Sequence, residues 1–437
     1  MEWWWTLIIL FSLLLFLFAI GMPVAFSFLL IDLVGAFLFW RGEAGLSQLI
    51  LNVYESVTNF NFLPIPLFVL MGDFMFRSGM ASKMMNVLEK WIGRLPGRLS
   101  ILAVFGGAVF GALSGAGVAS AAMLGSVLLP EMERRGYKKQ MTLGPLLGSA
   151  GLDIMIPPSA LGVILAVWGQ LSIGKFLVAI TLPGILMAIL YVIYIVIRCS
   201  LQPHLAPSYE ITSTPLFEKI KLTVLYVLPL GSIFFLAIGI IFLGVATPTE
   251  AAAMGSLGCF GLALIYRKFS WKVFKESVYG TLQVSVMIYM VFAGSTAFAQ
   301  ILAYTGSTQG LAELAVNSQL HPILVLVLMQ VVCLIMGFFM DPVPIIMVTI
   351  PIFMPIIKTF GFDPLWFGTI LLLNMQMATI SPPFGTLLFV MKSVSPPHIT
   401  MGDIYKSVYP FLGLDLIAMG IMIAFPSLIL WLPGLMK

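Results

Sequence analysis

Long apolar stretches alternate with short polar breaks along the whole chain, and the breaks are rich in glycine, proline, lysine and arginine. A helix needs roughly 20 predominantly apolar residues to span a hydrocarbon core, and many of these stretches approach or exceed that length. The pattern predicts spans over 4–20, 23–40, 61–76, 140–168, 177–198, 222–243, 246–266, 277–303 and 408–431. The first starts almost at once after Met1, with no Ala-x-Ala cleavage pattern close behind it, and reads as an uncleaved span rather than a signal peptide. Residues 44–60 read as interfacial. Residues 78–98, with Lys83, Lys90 and Trp91, read as an amphipathic helix lying along the cytoplasmic surface.

The helix breakers themselves repeat. Pro130, Gly136, Leu146, Leu147, Pro157 and Pro158 are matched, 225 positions later and without a gap, by Pro355, Gly361, Leu371, Leu372, Pro382 and Pro383. Interrupted apolar segments at corresponding places in two halves are the best sequence pointer to a transporter's binding site. The chain therefore reads as a solute carrier.

Charge then gives the topology. Arg77, Lys83, Lys90, Arg94 and Arg98 form one basic cluster, and Arg134, Arg135, Lys138 and Lys139 form the next. Cytoplasmic loops carry an excess of Lys and Arg, so both clusters belong on the same side. The Gly/Ala-rich run 99–130 between them must then enter and leave on that side, as a helical hairpin with its tip at Ser114-Gly115-Ala116-Gly117. Five crossings follow. The stretch from Thr305 to His321, which has no Lys or Arg, falls outside, and 322–357 forms a second hairpin with its tip near Met340-Asp341-Pro342. The offset of 225 maps Ala116 onto Asp341, so the tips coincide. An odd number of crossings between them makes the repeats inverted. Of the 22 basic residues only Arg41, Lys175, Lys358 and Lys437 are left outside.

The expected fold is thus an all-α polytopic membrane protein of two inverted repeats, each with a re-entrant hairpin and a broken helix. Residues 1–98 would be scaffold helices plus the surface helix, 99–198 repeat 1, and 199–221 a proline-rich cytoplasmic linker. Residues 222–303 would be further scaffold, 322–406 repeat 2 (broken helix 364–391) and 407–437 a C-terminal span.

Composition agrees with a lipid solvent: 60% of residues are hydrophobic and only 9% charged, against roughly 25% charged in soluble domains. The net charge of +4 gives no nucleic-acid footprint. Three cysteines (Cys199, Cys259, Cys333) and three histidines (His204, His321, His398) are too scattered for a zinc site or disulfide framework. No phosphate-binding loop and no nucleophile–base constellation can be assembled, which argues against an enzyme.

The candidate chemistry lies at the breaks. Pro157-Pro158 follows Gly151-Leu152-Asp153, and Pro382-Pro383 follows Gln376-Met377-Ala378-Thr379. Proline removes a backbone donor and clashes with the preceding turn. The freed carbonyls are tolerated at membrane depth only when buried or lining a wet cavity. Unwound carbonyls facing a hairpin tip suit Na⁺, which makes two pseudo-symmetric cation sites the expectation. Asp341 is expensive in hydrocarbon and so marks a functional site by default; it is suited to binding Na⁺, contacting a substrate hydroxyl, carrying a proton, or capping a half-helix. Asp73 reads as paired with Arg77, Glu250 as a helix N-terminal residue, and Asp32 as facing a partner subunit. Asp415 has no assignment.

Several of these segments resemble a known family. They are Gly111-Ala112-Leu113-Ser114-Gly115-Ala116-Gly117-Val118-Ala119, Ile156-Pro157-Pro158-Ser159, Phe339-Met340-Asp341 and Ser381-Pro382-Pro383-Phe384-Gly385. With Gly21-Met22-Pro23-Val24-Ala25-Phe26 and Phe62-x-Pro64-Ile65-Pro66-Leu67-Phe68, they resemble the large membrane subunit of tripartite ATP-independent periplasmic (TRAP) transporters across essentially the whole chain. The resemblance implies a bacterial inner-membrane carrier working as an elevator and driven by the sodium gradient. Its partners would be a small four-helix membrane subunit and a periplasmic protein delivering an organic anion, such as a dicarboxylate, a sialic acid or another sugar acid. It also implies a first Na⁺ site from Ser114, Gly117, Gly151 and Asp153, a second from Met340, Asp341, Met377 and Thr379, and a substrate bordered by Ser114, Gly115, Ala116 and Asp341.

The chain departs from the family where Ala116 and Gly117 replace hydroxyl residues at the tip, where Pro342 follows Asp341, and where Asp153 stands in place of a small or apolar residue. The competing reading is a stand-alone anion carrier, coupled to Na⁺ or H⁺, of a related inverted-repeat fold.

Overall fold

A computed structural model describes residues 2–40, 42–93, 95–114, 117–207 and 215–436, and among these it contains helices and no strand. In chain order the helices are α1 (Trp3–Ala19), α2 (Val24–Phe39), α3 (Glu43–Thr58), α4 (Pro64–Arg77), α5 (Met80–Ile92), α6 (Arg98–Ser114) and α7 (Gly117–Arg134). Then come α8 (Lys139–Ala150), α9 (Ala160–Trp168), α10 (Ile173–Ala179), α11 (Thr181–Leu201), α12 (Leu216–Leu222), α13 (Leu228–Phe234) and α14 (Ile240–Phe242). The last three are joined by two π-helical turns into one apolar span, Leu216–Phe242. The rest are α15 (Pro248–Ile265), α16 (Trp271–Tyr304), α17 (Ser307–Asn317), α18 (Pro322–Met336), α19 (Pro342–Thr359), α20 (Pro364–Ile380), α21 (Thr386–Val394), α22 (Met401–Ala424) and α23 (Ser427–Gly434). Seven helical segments among the described residues are long and apolar enough to cross a membrane.

Local sequence accounts for many of the boundaries. Pro248, Pro322, Pro342 and Pro364 occupy first helical positions, where the missing N–H is no loss. Thr247 with Glu250, and Thr400 with Asp403, form reciprocal capping boxes. The second box starts α22 at Met401, earlier than hydropathy alone suggests, and Pro426 separates it from α23. Glu250 therefore has the N-terminal role expected of it. Gly136 and Gly361, both at positive φ, turn the chain after α7 and α19.

The helix bounds follow the sequence offset. Shifted by 225, α7 superimposes on the range of α19, α8 begins with α20, and α9 lies one residue from α21. Both prolyl pairs, Pro157-Pro158 and Pro382-Pro383, are cis.

Two groups of helices pack internally. In one, α2, α3 and α4 lie along α16, with α15 against α4; Phe28 meets Phe298, and Phe62 meets Phe292. In the other, α6, α7 and α22 pack around α8, and α11 and α20 pack on α22. Gly144 and Gly148 admit the Phe411 ring to the surface of α8: a Cβ on Gly148 would lie 2.5 Å from it. At the end of that contact Lys139 Nζ lies 2.8 Å from Asp403.

Helix α5 lies between α6 and the π-helical turn after α12. Trp91 Nε1 donates to Thr223 Oγ1 at 2.8 Å, Lys90 pairs with Glu218 at 3.1 Å, and Lys83 sits over the Tyr226 ring. The amphipathic pattern read at 78–98 therefore serves a helix docked on protein along one face.

Residues 307–317, read only as part of an outer stretch without Lys or Arg, form α17, whose Gly310 seats Trp3. Asp73 pairs with Arg77 at 2.6 Å, as expected. Asp32 corrects its expectation. It is fully buried inside the chain, on the α2 face that packs on α16, so it faces no partner subunit. Helix-on-helix burial decided that, and a one-dimensional pattern does not resolve it.

Candidate functional site

Each helix-break segment meets its own hairpin through a glycine. In the first half, α8 ends at Ala150 and tightens into one 3₁₀ turn, Gly151–Ile154, before Pro157-Pro158. Ser159 then restarts the helix: its Oγ donates to the Ile154 carbonyl at 2.7 Å and accepts from Gly162 N–H at 3.0 Å. The hairpin helix α6 passes so close that a Cβ on Gly111 would lie 2.5 Å from Asp153 Cβ and 2.6 Å from its Cα. A Cβ on Gly107 would lie 2.3 Å from the Ser149 carbonyl oxygen. Only glycine permits that approach.

Across the tip, Gly117 begins α7 against the Asp153 carboxylate: a Cβ there would lie 2.9 Å from Oδ1 and 3.2 Å from Oδ2. Asp153 is 4% exposed, and its Oδ1 has no hydrogen-bond partner among the described residues. Gly117, Gly151 and Asp153 are thus brought together. Gly115, Ala116 and the Ser114 side chain lie outside the described residues.

The second half repeats the arrangement. A Cβ on Gly337, in the turn after α18, would lie 2.5 Å from Ala378 Cβ. Ala378 is the residue 225 positions after Asp153, so both hairpins seat a glycine on the same repeat position. Met377 and Thr379 flank that contact and are buried. Thr379 Oγ1 donates to the Gln376 carbonyl at 2.7 Å, leaving its oxygen lone pairs available. Phe339 at the tip lies 6.4 Å, ring to ring, from Phe384 in the break.

Asp341 is the N-cap of α19 but makes no side-chain capping bond, so the capping alternative is not realised. Met340 and Asp341 are part of the tip, and Asp341 is exposed. Pro383 is held by Tyr405, whose hydroxyl donates to its carbonyl at 2.9 Å.

Such paired, oxygen-rich breaks suit hard-cation coordination. Among the described residues no cluster of three His, Cys, Asp or Glu groups could hold a transition metal.

A family model described as the tripartite ATP-independent periplasmic transporter, DctM component, matches residues 11–428. The chain belongs to this family. It is 31% identical to the C4-dicarboxylate TRAP transporter large permease protein DctM of Pseudomonas aeruginosa, over 89% of each chain. It is 28% identical to the sialic acid TRAP transporter large permease protein SiaM of Vibrio cholerae, over 95% of each. Its fold is similar to the YdaH transporter of Alcanivorax borkumensis, with a TM-score of 0.66 at 13% identity, covering 95% of this chain and all of that one. A DctM component is a transporter subunit and not an enzyme, and this one is a polytopic inner-membrane protein.

Two further features of this DctM-type permease were not legible as site elements. A cavity of about 1110 Å³ opens between α3, the turn at residues 59–62 and α16 on one side and α9, α10 and α19 on the other, lined by Glu55, Trp168, Gln170, Gln300, Met354 and Lys358 among others. The second is a buried polar chain from Asp415 through Tyr191 to Gln376. Asp415 stood out as an acid in an apolar span. The offset also places Gln376 opposite Gly151, a signal that was available but points to no role without the packing.

Proposed function

We propose that this subunit imports an organic anion, such as a dicarboxylate or sugar acid, driven by two sodium ions and delivered by a periplasmic binding protein. The observation that carries the reading is the doubled break: two interrupted helices 225 residues apart, each with a hairpin glycine seated on the same repeat position. One Na⁺ site uses the tip from Ser114 to Gly117 with Gly151 and Asp153. The other uses Met340, Asp341, Met377 and Thr379. Pro157, Pro158, Pro382 and Pro383 keep both helices open, and Ser114, Gly115, Ala116 and Asp341 border the anion.

The repeats are inverted and the hairpins re-entrant, on the charge distribution of the loops. Helices α6–α9, α11 and α18–α22 move as an elevator body. They move against a scaffold of residues 1–98 and 222–303, to which the small four-helix subunit adds. The large cavity between the two groups is the gap that such sliding requires. The dicarboxylate and sialic acid named for the relatives support an acidic substrate class.

The test is uptake into proteoliposomes holding this chain with its small subunit, under an inward Na⁺ gradient, with binding protein and labelled organic acids added or withheld. Uptake that needs both sodium and binding protein is expected. Uptake needing neither would establish the stand-alone carrier instead.

A further inference from the structure

Three fully buried polar side chains from three helices of the proposed moving body form one hydrogen-bonded chain. Gln376 is on α20, Tyr191 on α11 and Asp415 on α22, and each is 0% exposed. Gln376 Nε2 donates to Tyr191 Oη at 3.0 Å, and Tyr191 Oη donates to Asp415 Oδ1. A phenol has one hydrogen. With that hydrogen committed to Asp415, Oη can only accept from the amide, so the NH₂ of Gln376 must face it and Oε1 must point away. Oε1 has no donor among the described residues.

Gln376 also occupies a special place in the repeat. Its equivalent is Gly151, and the two touch: a Cβ on Gly151 would lie 2.9 Å from Gln376 Cγ and 3.3 Å from Cδ. Residues related by a two-fold axis meet each other only at that axis. The crossing of Gly151 and Gln376 therefore marks the centre of the paired breaks. From there Gln376 reaches both candidate cation sites. Its side chain covers Gly151 of the first, and its own carbonyl takes the Thr379 hydroxyl of the second.

Packing alone does not call for this arrangement. An apolar side chain would fill the space without desolvating an amide, a phenol and a carboxyl group. An ionisable residue inside a span marks function by default.

We propose that Tyr191 and Asp415 are positioning residues that lock the Gln376 side chain at the pseudo-two-fold crossing, and that Gln376 transmits occupancy between the two sodium sites. The proposal rests on the two-site reading above. Coupling between sites needs a physical element that both of them bias. Gln376 is that element, because shifting it disturbs Gly151 on one side and Thr379 on the other.

The test is equilibrium binding of radiolabelled Na⁺ to the purified chain with its small subunit in lipid nanodiscs, with thermal melting as a check on folding. Tyr191→Phe deletes only the bridging oxygen. It is expected to raise the half-saturating Na⁺ concentration about fivefold, the value of one lost hydrogen bond, and to bring the Hill coefficient down towards one. Asp415→Asn keeps an oxygen acceptor for Tyr191 and should bind as the native chain does, whereas Asp415→Leu should match Tyr191→Phe. Native affinity and cooperativity in a folded Tyr191→Phe or Asp415→Leu protein would overturn the proposal. So would lower melting in both without a change in sodium binding, since that is the mark of a purely structural role. A native protein that binds no sodium would overturn the two-site reading itself, which separates the two failures.

Discussion

Gly111→Ala adds one methyl group where α6 crosses the first helix break. The new carbon would lie 2.5 Å from Asp153 Cβ, 2.6 Å from its Cα and 2.8 Å from its N. Carbon atoms rest about 3.5–4.0 Å apart, so the clash amounts to roughly 1 Å. Two of the three atoms met are backbone, and no rotamer change can relieve the overlap. The hairpin must back away or the 3₁₀ turn must move.

Overpacking of this kind costs about 1–3 kcal/mol, and Ala recovers up to about 1 kcal/mol over Gly in a helix, so the protein should still fold. Function should suffer more. Metal ligands hold their distances to about ±0.2 Å, and a misplacement of about 1 Å at a reacting centre can cost on the order of 100-fold. Sodium-driven uptake in proteoliposomes, normalised to the amount of folded protein, should fall at least about tenfold. Gly337→Ala, whose methyl would lie 2.5 Å from Ala378 Cβ and 3.1 Å from its Cα, should do the same in the other half. Gly413→Ala and Gly420→Ala on α22 meet nothing within 4 Å and serve as controls. Uptake by Gly111→Ala equal to that of the Gly413→Ala control would refute the claim that hairpin and break form a site.

Asp341→Asn should remove most uptake without lowering the melting temperature, because Asp341 makes no capping bond to lose; normal uptake would take the carboxylate out of the mechanism. Asp403→Ala deletes a capping box and the partner of Lys139, and should lower unfolding stability by about 1 kcal/mol in denaturation of the purified protein. An unchanged midpoint would show that the box contributes nothing. Asp32→Leu should raise the melting temperature, since both carboxyl oxygens are buried with no hydrogen-bond partner among the described residues. A lower one would mean that Asp32 is held by a group not yet identified.

Much of this protein could be read in one dimension, because its architecture is punctuated by residues that act locally. Proline and glycine interrupt a helix wherever they stand, so the breaks at Pro157-Pro158 and Pro382-Pro383, the turns at Gly136 and Gly361, and the register of 225 between them were legible without coordinates. The same holds for the Asp73–Arg77 pair and the Glu250 cap, whose partners lie within four residues. Contacts between distant segments were not legible. Gly111 looks like any small residue in an apolar run until α6 is laid against Asp153. Tyr191 and Asp415 lie 224 residues apart, and nothing in their spacing or neighbours announces a bond. Asp32 could be recognised as costly, but whether it faced lipid, a partner or the interior depended on the face that α2 turns to α16. Local breakers determined which segments bend, whereas the close packing of whole helices decided which bends meet, because side-chain contact depends on three-dimensional approach and leaves no periodic trace in the chain.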